Sequence, residues 1–563
     1  MRREVSVVNK KVCSFPILFA LLALVIGTCA VVFPASAQAA PTSTGSITVS
    51  GTVARSYDAY QIFSANVIDD DNDAKIATDL AWASDAVRDA ALPVLHSAGM
   101  SKSQTTAQEA AEWLNTDSHL TSALSAQLAR SLQGSDAESV ALNAGTTAEL
   151  PCGYWLIVAD DAAIAQNEAG TAPIMALVGG SAVTVKPKAA TPKVSKHVLE
   201  DSTAAWQKAA DATVADDLYW RLSATVPAGL TAYDTYTVQF VDTMSAGLDP
   251  SKVAVSMRVY VAAGADGGFD AVQTGKDGRA GTEPAKGWTD ITAQCATKVA
   301  ADGKTFTVRT GDLIAALGGA DAFTAGARVV AVYNAPLNSA CNHGIAKGNP
   351  NEVYLRYPRS PFADQSGDAG FTHTPSDDAC AYTWDLALTK RGSDGDKPLA
   401  GAVLSIADDR GRTLAADGTW DAEGKATVTT GEDGRVTVSG VDSGKLEVRE
   451  LKAPKGYTAF KGTRSVTVKA EGLDVDQVAA AKPKLTITAE SPLRADSADG
   501  STGSLEASLI NTPTGTPPSI TTGGFMPSTG DMAMYAAAAA AVAGAALIVV
   551  ALLVKRGGGS HKE

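Results

Sequence analysis

Three polar side chains near the end of the chain occupy positions that strand alternation directs into a hydrophobic core. Side chains two residues apart in a strand share a face. Each of the three closes a run of apolar residues of the same parity: Leu386, Leu388 and Lys390; Leu446, Val448 and Glu450; Ala507, Leu509 and Asn511. Burying such groups without partners costs several kcal/mol. The lysine, the glutamate and the asparagine are therefore expected to pair or to react.

A reaction between these three groups is chemically available. Desolvation lowers the pKa of a buried lysine and favours its neutral, nucleophilic amine, while a buried carboxyl keeps its proton. The amine of Lys390 can attack the side-chain carbonyl of Asn511 while the Glu450 acid polarises that carbonyl and moves protons. The products are a Lys–Asn isopeptide bond and ammonia. The alternative for any one inward charge is a side chain that reaches the surface or a strand whose register differs.

The middle of the chain repeats this pattern. Lys196 and Asp242 each share a face with two apolar neighbours, and Asn351 begins an alternating run that ends at Tyr357. We predict that Asn351 is the partner of Lys196. Asn349 has the same parity and stays open as an alternative, as does a turn role for either asparagine.

Two segments that carry the first set resemble a known family. Residues 386–406, LALTKRGSDGDKPLAGAVLSI, look like the opening strand of the collagen-adhesin B-type repeat of Gram-positive pilins. Residues 450–457, ELKAPKGY, resemble the pilin E box, ETxAPxGY, with Leu451 in place of the threonine. The resemblance implies that Glu450 promotes a bond between Lys390 and Asn511.

A segment of the middle region resembles the same family. Residues 240–248, FVDTMSAGL, are similar to the second-domain motif FxDTLSxGL, whose aspartate takes the place of the glutamate. The resemblance implies that Asp242 promotes the bond of Lys196.

The C-terminus carries three features in a fixed order. They are a pentapeptide, an uncharged stretch at 532–554 that is long enough to span a bilayer, and a basic tail that predicts a cytoplasmic end. This order resembles the cell-wall sorting signal LPxTG, and it implies that a sortase cuts after the threonine and joins it to an amine. A simple single-pass protein is the alternative. The pentapeptide is Met526, Pro527, Ser528, Thr529 and Gly530.

One lysine suits an intermolecular bond. In 183–188, VTVKPK, Val183 and Val185 face one way, and Lys188 follows a proline at a predicted domain edge. The segment resembles the pilin motif VxVYPK, with Lys186 in place of the tyrosine. The resemblance implies that the Lys188 amine attacks the sortase-held Thr529 of the next subunit. An ordinary linker lysine is the alternative.

The elements that must position these residues are mostly strands. Short β-like runs alternate with Gly- and Asp-rich turns, as in β-sandwiches, and the resemblance implies tandem Ig-like domains of collagen-adhesin A and B type. An Ala-rich region at about 76–133 favours helix, which predicts a helical insertion in the first domain. The predicted order is a signal peptide (1–39, with a membrane anchor as the alternative), an N-terminal pilin domain (40–188), a middle Ig-like isopeptide domain (194–380), a collagen-adhesin B-type domain (381–511), a linker (512–525) and a sorting signal (526–563) with a single transmembrane helix (532–554).

Composition excludes some classes of protein. The 563 residues carry a formal net charge of −14, which argues against a nucleic-acid binder, because phosphate recognition needs a basic face. The histidines show no ligand spacing, so we predict no metal site and no cofactor. Four cysteines would remain after signal removal and could form one or two disulfides. The sequence does not decide between the pairings Cys295–Cys341 and Cys341–Cys380. These cysteines are Cys152, Cys295, Cys341 and Cys380.

These features together predict the major structural subunit of a sortase-assembled pilus on the wall of a Gram-positive bacterium. The expected partners are sortase, identical subunits in a head-to-tail covalent polymer, minor pilins, peptidoglycan, and a host matrix protein or glycan. No turnover is implied, so the chain is not predicted to be an enzyme. One rival is a monomeric wall-anchored adhesin. A secreted carbohydrate-active enzyme is the other, and the inward Asp/Glu pairs that would support it are missing from the sequence.

Overall fold

The computed structural model shows a mainly β chain, which confirms the predicted fold class. It describes residues 43–515 except 52–54, 71, 73, 117, 161–163, 165, 188–190, 229 and 265–286. Six sheets form within these ranges, and no helix there has the length and apolarity needed to cross a bilayer. The predicted signal peptide, Lys188, the sorting pentapeptide and the transmembrane helix lie outside the described residues.

The N-terminal unit consists of two sheets and three helices. One sheet has the order β5-β1-β8 and the other β3-β2-β6-β7, with β4 paired to β2. The elements are β1 (Thr44–Val49), β2 (Ser56–Asp69), β3 (Lys75–Trp82), α1 (Asp85–Ser97), α2 (Ala107–Asn115), α3 (Ser122–Gln133), β4 (Val140–Asn143), β5 (Thr147–Pro151), β6 (Gly153–Ala159), β7 (Ile174–Val178) and β8 (Val183–Val185).

The helical insertion is present but begins later than the sequence predicts. Residues 76–82, expected to be helical, belong to β3, because the backbone of β3 pairs with β2. Helix α1 begins after Ser84, whose side chain accepts a hydrogen bond from the Val87 amide, as an N-cap residue does. Thr106 and Glu109 form a capping box at the start of α2. Strand pairing therefore overrides the local helix propensity at 76–82, and the remainder of the region to 133 forms three helices joined by short connections.

The middle unit is a sandwich of two sheets. Their orders are β10-β9-β12-β18-β14-β15 and β11-β21-β19-β13-β17-β16, with β20 paired to β19. The elements are β9 (Val194–Glu200), β10 (Ala205–Gln207), β11 (Ala209–Asp211), β12 (Tyr219–Thr225), β13 (Gln239–Met244), α4 (Val253–Ser256), β14 (Arg258–Ala262), β15 (Thr289–Asp290), β16 (Ala296–Val299), β17 (Thr305–Arg309), α5 (Leu313–Ala316), β18 (Arg328–Asn334), β19 (Asn349–Pro358), β20 (Phe371–His373) and β21 (Asp377–Tyr382).

The C-terminal unit is a second sandwich. One sheet has the order β27-β22-β33-β29 with β32 on β33, and the other has the order β25-β24-β23-β28-β30-β31 with β26 on β23. Its first and last long strands, β22 and β33, lie side by side and run parallel. The strands are β22 (Trp384–Gly392), β23 (Val403–Ala407), β24 (Thr413–Leu414), β25 (Trp420–Asp421), β26 (Val428–Thr429), β27 (Arg435–Val441), β28 (Gly444–Lys452), β29 (Tyr457–Thr458), β30 (Thr463–Glu471), β31 (Lys484–Ala489), β32 (Leu493–Asp499) and β33 (Ser504–Pro513).

The middle and C-terminal units share a tightly bonded boundary. Side chains of strand β21 alternate between the two cores. Ala379 and Ala381 pack in the middle core, and Cys380 and Tyr382 pack in the C-terminal core. Asp211 accepts a 2.6 Å hydrogen bond from the Trp384 indole across this boundary. The two sandwiches are therefore joined by packing as well as by the chain.

An arginine pair strengthens the same boundary. Arg412 of the C-terminal unit binds both carboxylate oxygens of Asp216, at 2.5 and 2.8 Å, and Arg410 adds a further 2.8 Å contact. A two-point contact of this kind fixes orientation as well as distance. The boundary therefore resists rotation of one unit against the other.

Candidate functional site

The C-terminal unit brings Lys390, Glu450 and Asn511 together inside its core. Lys390 lies on β22 and Asn511 on the adjacent parallel strand β33, where Lys390 faces Leu509 and Gly392 faces Asn511. Glu450 projects from β28 of the opposite sheet. Lys390 is 0% exposed, Glu450 6% and Asn511 2%.

One oxygen of Glu450 connects this cluster. The Asn511 amide nitrogen donates to Glu450 Oε1 at 2.8 Å, and the Lys390 amine lies 3.5 Å from the same oxygen. The second oxygen, Oε2, accepts from the Phe460 backbone amide at 3.0 Å. Lys390 also donates to the Leu509 carbonyl at 3.3 Å. The carboxyl therefore contacts both groups that a Lys–Asn bond would join.

The middle unit assembles its cluster differently. Lys196 is on β9, and Asp242 and Asn351 are on the neighbouring strands β13 and β19 of the facing sheet. All three side chains are 0% exposed. The lysine and the asparagine therefore lie on facing sheets of the sandwich, whereas in the C-terminal unit they lie on one sheet.

A tyrosine hydroxyl lies at the centre of the middle cluster. Lys196 forms an ion pair with Asp242 Oδ2 and donates to the Tyr333 hydroxyl at 2.9 Å. The hydroxyl donates to Asp242 Oδ2 at 3.0 Å and accepts from the Asn351 amide nitrogen at 2.8 Å. Asp242 and Asn351 therefore both hydrogen-bond to one hydroxyl group, which is within reach of the lysine.

Burial shifts both lysines towards the neutral amine. Desolvation lowers the pKa of Lys196 to about 8, against the opposing attraction of Asp242. Desolvation likewise lowers the pKa of Lys390 to about 8, opposed by Glu450. Burial raises the pKa of Asp242, and the Lys196 charge offsets only part of this rise. In the middle cluster the lowered lysine pKa and the raised aspartate pKa both favour a neutral amine beside a protonated acid. Nucleophilic attack requires this pair.

Each cluster contains a carbonyl oxygen that lacks a hydrogen-bond donor. Asn351 Oδ1 and Asn511 Oδ1 are buried without a partner, as is Asp242 Oδ1. Because Asp242 Oδ2 already accepts two hydrogen bonds, a proton on the acid belongs on Oδ1. A proton on Oδ1 makes the acid a hydrogen-bond donor within the same buried cluster, and a carbonyl needs such a donor as negative charge develops on its oxygen.

The structure distinguishes Asn351 from Asn349. Asn349 is also 0% exposed, but its amide donates to the Asn342 and Ala381 carbonyls and its oxygen accepts from the Asn342 amide. These bonds engage Asn349 in holding the 342–349 loop. Asn351 instead points its amide at the Lys196 cluster, which favours it as the partner of that lysine.

The shared proton of the Lys196–Asp242 pair predicts a pH dependence. An amine with an acid and an ammonium with a carboxylate contain the same single proton, so the reacting state exists only between the two titration steps of the pair. The upper step of this pair follows Lys196, whose pKa burial lowers to about 8. We expect the rate of bond formation to be flat near neutral pH and to fall as the pH rises through about 8.

This pH dependence is measured by refolding. Chain recovered unfolded and unlinked is diluted into buffers between about pH 6 and about pH 9.5, and intact mass follows ammonia loss with time. Tryptophan fluorescence reports folding in the same samples. A rate that keeps increasing up to the pKa of an ordinary lysine would contradict the shared-proton scheme.

Sequence reasoning missed Tyr333. The available signal was the spacing in β18, RVVAVYN, where Val329, Ala331 and Tyr333 lie two residues apart and pack in the middle core. That pattern predicts a core aromatic residue without indicating which groups its hydroxyl contacts. The register of β18 against β12 and of β12 against β9 brings Tyr333 onto the Lys196 side of the core.

The remaining predictions concern the lysine segment at 183–188, the cysteines and metal binding. Lys186, two positions before Lys188, is exposed at the end of β8. The four described cysteines, Cys152, Cys295, Cys341 and Cys380, are free thiols, so neither of the disulfides left open above is present. No group of three or more candidate metal ligands occurs among the described residues.

Comparisons with known proteins agree with the architecture. Residues 385–482 match the family model described as the SpaA prealbumin-like fold domain. Over 143 residues the chain is 30% identical to the trypsin-resistant surface T6 protein of Streptococcus pyogenes serotype M6, a match that covers 24% of each protein. The chain thus matches about a quarter of that relative's length.

Solved structures of major pilins are also similar. The T6 backbone pilin of S. pyogenes serotype M6 has a TM-score of 0.46 at 17% identity, covering 84% of this chain and 99% of that one. The full-length major pilin SpaD of Corynebacterium diphtheriae has a TM-score of 0.40 at 14% identity, covering 84% and 100%. Residues 385–482 of the C-terminal unit are thus similar to the SpaA prealbumin-like fold domain.

Proposed function

We propose that the chain is the backbone subunit of a covalent surface pilus and that two of its units form internal Lys–Asn bonds. The bonds are Lys390–Asn511, promoted by Glu450, and Lys196–Asn351, promoted by Asp242. The observation that carries this proposal is the burial of two complete lysine–carboxyl–asparagine clusters in separate cores. An ion pair left in such a core is a weak source of stability, whereas a bond across it would restrict the unfolded chain.

The proposal assigns the polymer bond to residues outside the described ranges. A sortase cleaves between Thr529 and Gly530 and joins Thr529 to Lys188 of the next subunit, and the last subunit is joined to peptidoglycan. The precursor lies transiently in the membrane, and its mature domains span 40–188, 194–380 and 381–511. The chain is a structural subunit whose internal bonds form once, and it has no turnover.

Replacing Lys188 with Ala tests the polymer. In the native host, or in a strain that supplies the sortase, we expect the ladder of high-mass wall-linked species to disappear while monomer remains. Lys186→Ala is the matched control, because it removes an exposed lysine two residues away. Immunoblotting of wall extracts after boiling in detergent measures both variants.

The same experiment separates the rival function. A monomeric wall-anchored adhesin that binds host matrix protein or glycan would give the same pattern of bands for Lys188→Ala as for the parent. Loss of the ladder in both lysine variants would contradict the assignment of Lys188 as the specific acceptor, because Lys186 is the other lysine of the 183–188 segment.

A further inference from the structure

The Tyr333 hydroxyl contacts every reacting side chain of the middle cluster. It is 2.9 Å from the Lys196 amine nitrogen, 2.8 Å from the Asn351 amide nitrogen and 3.0 Å from Asp242 Oδ2. Tyr333 is 0% exposed, and its ring packs edge-on against Phe306. The position of the hydroxyl is therefore fixed by the packing of the ring.

The hydrogen-bonding capacity of the three partners determines the direction of each bond. A tyrosine hydroxyl has one donor and two acceptor sites, whereas the amine and amide N–H groups only donate here. The hydroxyl must therefore accept from Lys196 and Asn351 and donate to Asp242, which uses all of its capacity. This arrangement leaves one consistent orientation of the hydroxyl hydrogen.

This arrangement orients the nucleophile. In its neutral form the Lys196 amine has two hydrogens and one lone pair. Its described hydrogen bonds go to Asp242 and to Tyr333, so both hydrogens are engaged. The lone pair is the part of the nitrogen that remains free to attack.

The same hydroxyl lies beside the leaving group. Before attack, the Asn351 amide nitrogen is planar and only donates. Once Cγ becomes tetrahedral, that nitrogen is an amine with its own lone pair and must gain a proton before it can leave as ammonia. The Lys196 nitrogen must lose a proton at the same stage, and the hydroxyl lies within hydrogen-bonding distance of both.

We propose that Tyr333 is a catalytic residue of the middle unit, relaying one proton from Lys196 Nζ to Asn351 Nδ2 during bond formation. The Nζ–Cγ bond forms, and Nζ gives a proton to the hydroxyl oxygen. As Nδ2 gains its lone pair, the hydroxyl hydrogen turns from Asp242 Oδ2 to Nδ2 and is transferred to it, the Cγ–Nδ2 bond breaks and ammonia leaves. Tyr333 ends as it began, and no oxidant or other reactant is needed. This role rests on the proposed Lys196–Asn351 bond.

The C-terminal cluster supplies an internal comparison. There the Asn511 amide donates directly to Glu450 Oε1, the oxygen that also faces the Lys390 amine. The carboxyl itself therefore contacts both the nucleophile and the leaving group. A change at Tyr333 should leave the Lys390–Asn511 bond unaffected.

The test is the Tyr333→Phe variant of the full exported chain. Refolding from the unlinked state is followed by mass spectrometry of protease fragments, which scores the two bonds separately. We expect formation of the Lys196–Asn351 bond to slow by about 100-fold or more, with the Lys390–Asn511 bond forming at the parental rate. Tyr357→Phe is the matched control, because Tyr357 is 0% exposed in the same core but its hydroxyl bonds to the Glu168 carbonyl.

A second measurement applies if the phenylalanine variant loses the fold of the middle unit. Incorporation of 3-fluorotyrosine at position 333 keeps the ring and its hydroxyl but makes the hydroxyl more acidic. The hydroxyl gives its proton to the leaving group in the step that breaks the Cγ–Nδ2 bond, and where that step limits the rate the relay predicts a several-fold faster bond, since general-acid efficiency follows acidity. An unchanged rate with 3-fluorotyrosine would overturn the relay.

The outcomes separate this inference from the proposed function. Parental-rate bonding in a folded Tyr333→Phe chain refutes the role of Tyr333 and leaves the proposed bond standing. A parent chain that never loses ammonia in its middle unit refutes both.

Discussion

In the Glu450→Gln variant, we expect the C-terminal unit to fold without its internal bond. Glutamine keeps the size of the side chain and its contact with Asn511, but it has no proton to give to the asparagine carbonyl. Loss of a general acid slows a reaction by about 10²- to 10⁴-fold. The intact mass, after allowance for the substitution, should therefore be higher than that of the parent by one ammonia.

Loss of this bond should also reduce stability strongly. Lys390 and Asn511 enclose a loop of roughly 120 residues, and closing a loop of that length restricts the unfolded state by about 5 kcal/mol. Thermal unfolding of the variant should therefore begin with the C-terminal unit, and trypsin should cut that unit first.

Glu447→Gln is the matched control for this experiment. Glu447 lies on the same strand, β28, but is exposed and pairs with Lys445 at the surface. We expect it to retain the parental mass deficit and melting temperature. A Glu450→Gln chain that shows the full deficit of the parent would remove the glutamate from the proposed chemistry.

The Asp242→Asn variant should have an even larger effect on the middle unit. It removes the acid and leaves the Lys196 amine in a fully buried site without its carboxyl partner. Breaking a buried pair by removing one member costs about 3–5 kcal/mol, and the stabilisation expected from the bond is lost as well. We expect no Lys196–Asn351 linkage and early unfolding of the middle unit.

Fragment mass spectrometry and differential scanning calorimetry measure these two effects separately. Asp321→Asn, at an exposed position of the same unit, is the control and should behave as the parent. An Asp242→Asn chain that forms its bond at the parental rate would show that the carboxyl is dispensable.

Alternation along single strands carried most of what could be predicted about the candidate site. Lys196, Lys390 and Asn511 were identified because their neighbours two positions away are apolar, and this relation is local in sequence. Strand alternation says nothing about which strands become neighbours. The sequence therefore could not reveal that the lysine and the asparagine lie on facing sheets in the middle unit. Nor could it reveal that they lie on adjacent strands of one sheet in the C-terminal unit.

Contacts between residues far apart in sequence also explain the other features that the sequence predictions missed or left open. Tyr333 lies in the middle cluster because three strands, β9, β12 and β18, pair with one another in order. No sequence motif predicts that pairing. The choice between Asn351 and Asn349 depends on a loop that satisfies only Asn349. The helical insertion begins later than predicted because residues 75–82 pair with β2 as a strand.

Because β22 and β33 run parallel, tension on the chain would act on the C-terminal unit in shear. The chain enters at Trp384 and leaves beyond Pro513, so a pull on both ends draws two neighbouring strands in opposite directions along their axes. Their hydrogen bonds are then loaded together instead of being opened one at a time. With the proposed bond in place, force passes from Lys390 directly to Asn511, and the roughly 120 residues between them carry none of it. A filament of such units would transmit load without lengthening.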